Sequence, residues 1–316
     1  MSQVRDAILG LVVGDALGVP VEFQPREYLK ANPVRDMTGY GTYNQPPGTW
    51  SDDSSLALCL ADELSGGYNI DRIADSFVKW LFQNHWTPYG KVFDVGNNTE
   101  ASISRLKNGV PPQQSGSTGP DANGNGSLMR ILPLLFYVHD KGDDQQRFEI
   151  IRDVSAITHA HVRSTLACYY YLEMARFIYN GQSPSLAYRN ANGSFLRLLG
   201  KLEIPSEETS HFDRLTGGKM DQLKESEIHS DTYVIYTLEA AVWCILTTDN
   251  YQDAVLKAVN LGKDTDTTAA VAGGLAGLIY SAKAIPDEWI SQLARLQDIE
   301  DVIERLTGYF NDQTSN

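Results

Sequence analysis

Two short stretches gather oxygen-bearing side chains directly before apolar runs. In GTWSDDSSLAL, Ser51, Asp52 and Asp53 stand in a row. In NLGKDTDTTAAVAGG, Asp264, Asp266 and Thr267 fall close together before the Ala/Gly run. Adjacent carboxylates repel, and burying them at a helix end is costly unless they are paired or bind a metal. Two explanations stand. One is helix capping, since Ser and Asp accept hydrogen bonds from the free N–H groups of a first turn, where the macrodipole favours negative charge. The other is a cation site shared by both clusters. No Arg lies close in either stretch, and Lys263 is the one local cation. Oxygen-only ligands select hard ions such as Mg²⁺, Mn²⁺ or Ca²⁺. No His or Cys lies near enough to suggest zinc.

Other stretches carry weaker signals. In GPDANGNGSLMR, glycines alternate with Asn123 and Asn125. Such a loop can turn backbone N–H groups toward a phosphate, or it can be an ordinary flexible connection. No Gly-Lys-Ser/Thr follows, so it is not a Walker A loop. Arg130 can hold a phosphate or pair with an acid. His159 and His161 are two residues apart and do not share a helix face, which argues against a joint metal site. His159 is the better candidate for ligand contact. Glu22, in GVPVEF, can face a site or pair with Arg26 at helical spacing. Pro20 and Pro25 argue against a regular helix there.

The elements that must position these groups are helical. Val4, Ala7, Ile8, Leu11 and Val12 follow the i, i+3, i+4, i+7, i+8 pattern, as do the apolar residues from Ile70 to Phe82 and from Val234 to Ile245. VRSTLACYYYLEMARFIYNG reads as a long helix stopped at Asn180-Gly181. The Ala/Gly-rich run from Ala269 is apolar all round and reads as a central helix whose small residues allow close packing. Strand signals are confined to VPVEF and RILPLLF, both containing proline. The fold class is therefore all-α. The chain has 316 residues and 42% hydrophobic content, enough for a sizeable core, and no linker divides it. Its net charge of −14 repels polyanions, so nucleic acid and anionic membrane are not expected partners. The N-terminal apolar stretch is broken by Gly14 and Asp15 and does not read as a secretory signal. Cys59, Cys168 and Cys244 sit in apolar segments and read as reduced core residues of a cytoplasmic protein.

In order along the chain, ILGLVVGDALGVPVEF, GTWSDDSSLAL, DVGNNT, GNGSLMR, ITHAHVRS, TYVIYTLEAAVWC and NLGKDTDTTAAVAGGLAGLIY together resemble the ADP-ribosylglycohydrolase family. The resemblance implies a single domain over residues 1–316, folded as a compact orthogonal helical bundle. It implies two Mg²⁺ or Mn²⁺ ions held by Ser51, Asp52 and Asp53 from one side and by Asp264, Asp266 and Thr267 from the other. It places Glu22 at a catalytic or metal-gating glutamate and Asp94, in DVGNNT, at a general acid/base. It places Gly96, Asn125, Gly126, Ser127, Met129, Arg130, His159 and Tyr233 among residues contacting ADP-ribose. Two departures from the family pattern bear on specificity: Lys263 where a second glycine is usual, and Asp231-Thr232-Tyr233 in place of Ser-Gly-Tyr.

The expected activity is metal-dependent hydrolysis of the glycosidic bond between ADP-ribose and a modified protein side chain, arginine first, by a monomer. The chain's acidity and Asp94 suit a cationic guanidinium leaving group. The alternatives are serine-linked ADP-ribose, a free derivative such as O-acetyl-ADP-ribose, or a non-catalytic relative like a lens crystallin. Retention of Asp52, Asp53, Asp264, Asp266 and Glu22 together argues for an enzyme.

Overall fold

A computed structural model describes residues 2–314. The longer helices are α1 (Gln3–Gly18), α2 (Asp52–Leu64), α3 (Ile70–Gln83), α4 (Asn97–Lys107), α5 (Asp144–Ala156), α6 (Val162–Tyr179), α7 (Pro184–Leu199), α8 (Val234–Leu246), α9 (Tyr251–Val259), α10 (Thr265–Tyr280) and α11 (Leu296–Thr314). Among the described residues extended structure is limited to isolated pairs, such as Gly124 with Tyr233. The all-α expectation holds. The two proline-bearing stretches form short 3₁₀ turns, Val19–Val21 and Leu132–Leu134. No helix among the described residues is long and apolar enough to cross a membrane. The three cysteines are buried free thiols.

The centre of the molecule is the pair α1 and α10. Gly10, Gly14 and Gly18 recur every fourth residue, so they share one face of α1. Ala269, Gly273 and Gly277 do the same on α10. The faces meet backbone to backbone: a Cβ at Gly10 would lie 2.3 Å from the Gly273 carbonyl oxygen, and one at Gly14 would lie 2.1 Å from that of Ala269. Nothing larger than hydrogen fits at these glycines. The Tyr251 hydroxyl donates to the Gly10 carbonyl at 2.7 Å, and the Tyr171 hydroxyl to that of Val271 at 3.0 Å, pinning both helices from outside. α10 also packs on α2, α6, α8 and α9. It is buried over most of its length, as its composition predicts.

Two consequences fix the site. The seam carries Gly18 onto Asp266, where a Cβ would lie 2.3 Å from the Asp266 Cα. The N-termini of α2 and α10 therefore point into one region, and both bring positive dipole ends to the carboxylates gathered there.

Candidate active site

Asp15 organises the first cluster, and the sequence reading missed it. From α1 its two carboxylate oxygens accept the Ser51 N–H, each at 3.0 Å, and one also accepts the Ser54 N–H at 3.0 Å. A residue of one helix thus caps another. Ser51 is itself the N-cap of α2, accepting the Asp53 N–H at 3.2 Å. Capping is therefore real, but it does not account for Asp52, Asp53 or Asp266. One oxygen of Asp53 accepts the hydroxyls of Ser51 at 2.9 Å and Thr267 at 3.3 Å. Its other oxygen has no partner. Asp264 accepts the Asn125 amide at 2.6 Å.

Carboxylate oxygens of Asp15, Asp53 and Asp266 lie within 4.8 Å of one another, and so do oxygens of Glu22, Asp94 and Asp266. Asp266 belongs to both groups and joins them into one acidic floor. Three buried oxygens in this floor, Glu22 Oε2, Asp53 Oδ1 and Asp266 Oδ2, have no hydrogen-bond partner. Leaving such atoms bare is expensive. Hard cations satisfy oxygens of this kind, so the donor set fits a metal by its own chemistry. Burial pushes Asp15 up to about 6. Burial, with Asp94 beside it, pushes Glu22 up to about 9. Asp52, Asp53 and Asp266 are driven well above the usual carboxylate range, by burial first and by their acidic neighbours second.

The floor opens into a cavity of about 650 Å³. Glu22, Asp52, Asp94, Asp264 and Thr267 line its acidic end, and Gly96, Asn125, Gly126, Met129, His159 and Tyr233 line the remainder. Ser51, Asp53 and Asp266 do not line the cavity surface itself and form the buried part of the floor. Ser127 and Arg130 stand behind the wall. Arg130 is fully buried and donates to the carbonyls of Gly126 and, at 3.3 Å, Val154, with its guanidinium over the Phe77 ring. It thus bonds neither an acid nor the cavity. Glu22 does not pair with Arg26, whose guanidinium reaches the carbonyls of Leu261, Glu225 and Ile228. Instead the Glu22 carboxyl lies within 4.8 Å of that of Asp94, and Tyr43 stands beside both and acts against the rise in their pKa values. Tyr43, like Asp15, escaped the sequence reading.

The glycine-rich loop is held in extended pairing. The Asn125 N–H donates to the Thr232 carbonyl and the Val234 N–H to that of Asn123, both at 3.0 Å. The N–H groups of Gly124 and Gly126 have no acceptor among the described residues. A Cβ at Gly126 would lie 2.8 Å from the His159 ring and 2.9 Å from the Thr99 hydroxyl. The His159 Nδ1 and the Thr158 hydroxyl are 2.8 Å apart, and burial, helped by Arg130, lowers this ring to about 3, so it is neutral. The two departures from the family pattern find each other: Lys263 Nζ pairs with Asp231 at 2.7 Å on the surface.

The sequence profile described as ADP-ribosylglycohydrolase matches residues 1–316. The chain belongs to the ADP-ribosylglycohydrolase family. It is 32% identical over 309 residues to the ADP-ribosylarginine hydrolase Tri1 of Serratia proteamaculans, covering 97% of this chain and 79% of that one. It is 31% identical over 291 residues to the ADP-ribosyl-[dinitrogen reductase] glycohydrolase of Rhodospirillum rubrum, covering 91% and 88%. A solved structure titled ADP-ribosylglycohydrolase-related protein complex superposes with a TM-score of 0.81 at 28% identity over 98% of both chains. In this glycohydrolase chain the resembling motifs, scattered over more than 250 residues of sequence, are brought to one acidic floor, the cavity above it and the layer directly behind its wall.

Proposed function

We propose that the protein hydrolyses the bond joining ADP-ribose to a modified protein side chain, with arginine the preferred acceptor. The observation that carries this reading is the set of bare carboxylate oxygens of Glu22, Asp53 and Asp266 under a cavity that a glycine loop also lines. The names of the two relatives support the substrate class, and that of the Serratia proteamaculans protein supports the arginine linkage. The cavity volume is in the range that takes a nucleotide-sized ligand.

Ser51, Asp52, Asp53, Asp264, Asp266 and Thr267 would hold the cations, Mg²⁺ or Mn²⁺ and two in number, with Asp15 beneath them as the cap of α2. When bound, they supply positive charge that orients the hydroxyls of the distal ribose and lowers the cost of negative charge nearby. The chain's own groups do the rest. The free N–H groups of Gly124 and Gly126, both lining the cavity, would take the pyrophosphate, which suits a cavity lined by no Lys or Arg among the described residues. Glu22 and Asp94, two carboxyls in contact, share a proton as a pair. As the bond at the anomeric carbon breaks through an oxocarbenium-like state, the pair gives a proton to the departing nitrogen. It takes one from the water whose oxygen bonds that carbon. Tyr43 holds both carboxyls in place.

The test is release of ADP-ribose from a peptide modified on arginine. EDTA-stripped protein should be inactive, Mg²⁺ or Mn²⁺ should restore turnover and Zn²⁺ should restore little. Full activity in metal-free protein would overturn the metal assignment, and absence of ADP-ribose release under every metal would overturn the function.

A further inference from the structure

Phe23 follows Glu22 directly and lines the acidic end of the cavity, yet 61% of its surface is exposed. Its φ is +64°, a left-handed value that is costly for a bulky side chain. The conformation is held by two main-chain hydrogen bonds to Lys263. The Phe23 N–H donates to the Lys263 carbonyl at 2.6 Å and the Lys263 N–H to the Gln24 carbonyl at 2.8 Å, with Lys263 also at φ +64°. Glycine would satisfy this backbone without strain. A large apolar ring stands there instead, and it makes no ring or cation contact among the described residues. Lys263, whose carbonyl accepts the Phe23 N–H, has its ammonium on Asp231.

The ring therefore has cost without packing gain, which points to a ligand. Its place says which one. Phe23 is the chain neighbour of Glu22 and lines the same cavity as Glu22 and Asp94, so what it meets is the group leaving past those two carboxyls. A flat cation suits an aromatic face flanked by two carboxyls. Resting on the function proposed above, we infer that Phe23 is a specificity-determining residue that stacks on the guanidinium of the departing arginine and so favours arginine-linked over serine-linked ADP-ribose.

The experiment offers matched peptides, ADP-ribosylated on arginine or serine, to the metal-loaded wild type and to Phe23→Gly, Phe23→Leu and Phe23→Trp. Phe23→Gly keeps the backbone geometry, so its unfolding midpoint should not fall. Its arginine-over-serine ratio of kcat/KM should fall by about tenfold. Phe23→Leu, apolar but without π electrons, should lose discrimination similarly, and Phe23→Trp should retain it. An unchanged ratio in Phe23→Gly and Phe23→Leu overturns this assignment alone. Loss of affinity for free ADP-ribose by the same factor would put the ring on the nucleotide and overturn it as well. No cleavage of either peptide by the wild type would overturn the underlying function too.

Discussion

Asp15 on α1 caps α2 by accepting the backbone N–H groups of Ser51 and Ser54. The carboxylate that starts the helix of the first cluster thus lies 36 residues before it. Removing it leaves buried donors without an acceptor. Asp15→Ala should lower stability by about 2–4 kcal/mol even in EDTA. Denaturant unfolding in EDTA checks this. A loss seen only with metal present would mean Asp15 is a ligand and not a cap.

Asp266→Asn should behave in the opposite way. It keeps the acceptor for the Thr267 N–H and relieves repulsion in the metal-free floor. Metal-free stability should hold or rise, while the gain on adding Mg²⁺ shrinks. Saturation at a hundredfold excess over Kd is worth about 2.7 kcal/mol, so thermal melts of wild type and variant with and without Mg²⁺ resolve the difference. Equal gains in both would exclude Asp266 as a ligand.

The raised carboxyls set a pH dependence. Glu22, lifted from 4.5 to about 9, binds more protons folded than unfolded. Its contribution is full below the unfolded value and is lost as pH rises through the folded one. His159 works the other way, but only below its unfolded value of 6.5. Between about pH 7 and pH 9, metal-free protein should therefore lose stability as pH rises, and Mg²⁺ should flatten the slope. A midpoint in EDTA that climbs over that window would contradict the burial of these groups.

Gly18→Ala should damage both fold and site, because its Cβ meets the Asp266 backbone, which has nowhere to go. Overpacking of this kind costs about 1–3 kcal/mol or more. Gly308→Ala, whose Cβ meets nothing within 4 Å on α11, should instead stabilise by up to about 1 kcal/mol. Melting curves of the two variants side by side make the comparison.

The helices were legible because their signal is local: apolar spacing and stop residues sit within one segment, as at α6 and Gly181. Both acid clusters were legible for the same reason, each being contiguous and placed before an apolar run. Asp15 was missed although it continues the stripe of Val4, Ile8, Leu11 and Val12, where a lone carboxylate is out of place. Its partner is in another helix, and no local pattern names it. Tyr43 reaches Glu22 and Asp94 through loops whose course only the folded chain defines. Arg130 carried a charge that suggested a ligand, but packing closed over it and turned it to main-chain carbonyls. The glycine spacing on α1 and on α10 was visible in each helix, but not that the two faces mate.

That mating has a consequence for how the chain is made. The Thr265 hydroxyl bonds the Gly18 carbonyl across 247 residues of sequence. During synthesis α1 emerges with its glycine face bare, and at roughly 5–20 residues per second its partner follows about 10–50 s later. Until then the first acid cluster has no counterpart. A nascent chain therefore offers only half the oxygen ligands, and full affinity for cations arises late in folding, after this long-range seam has closed.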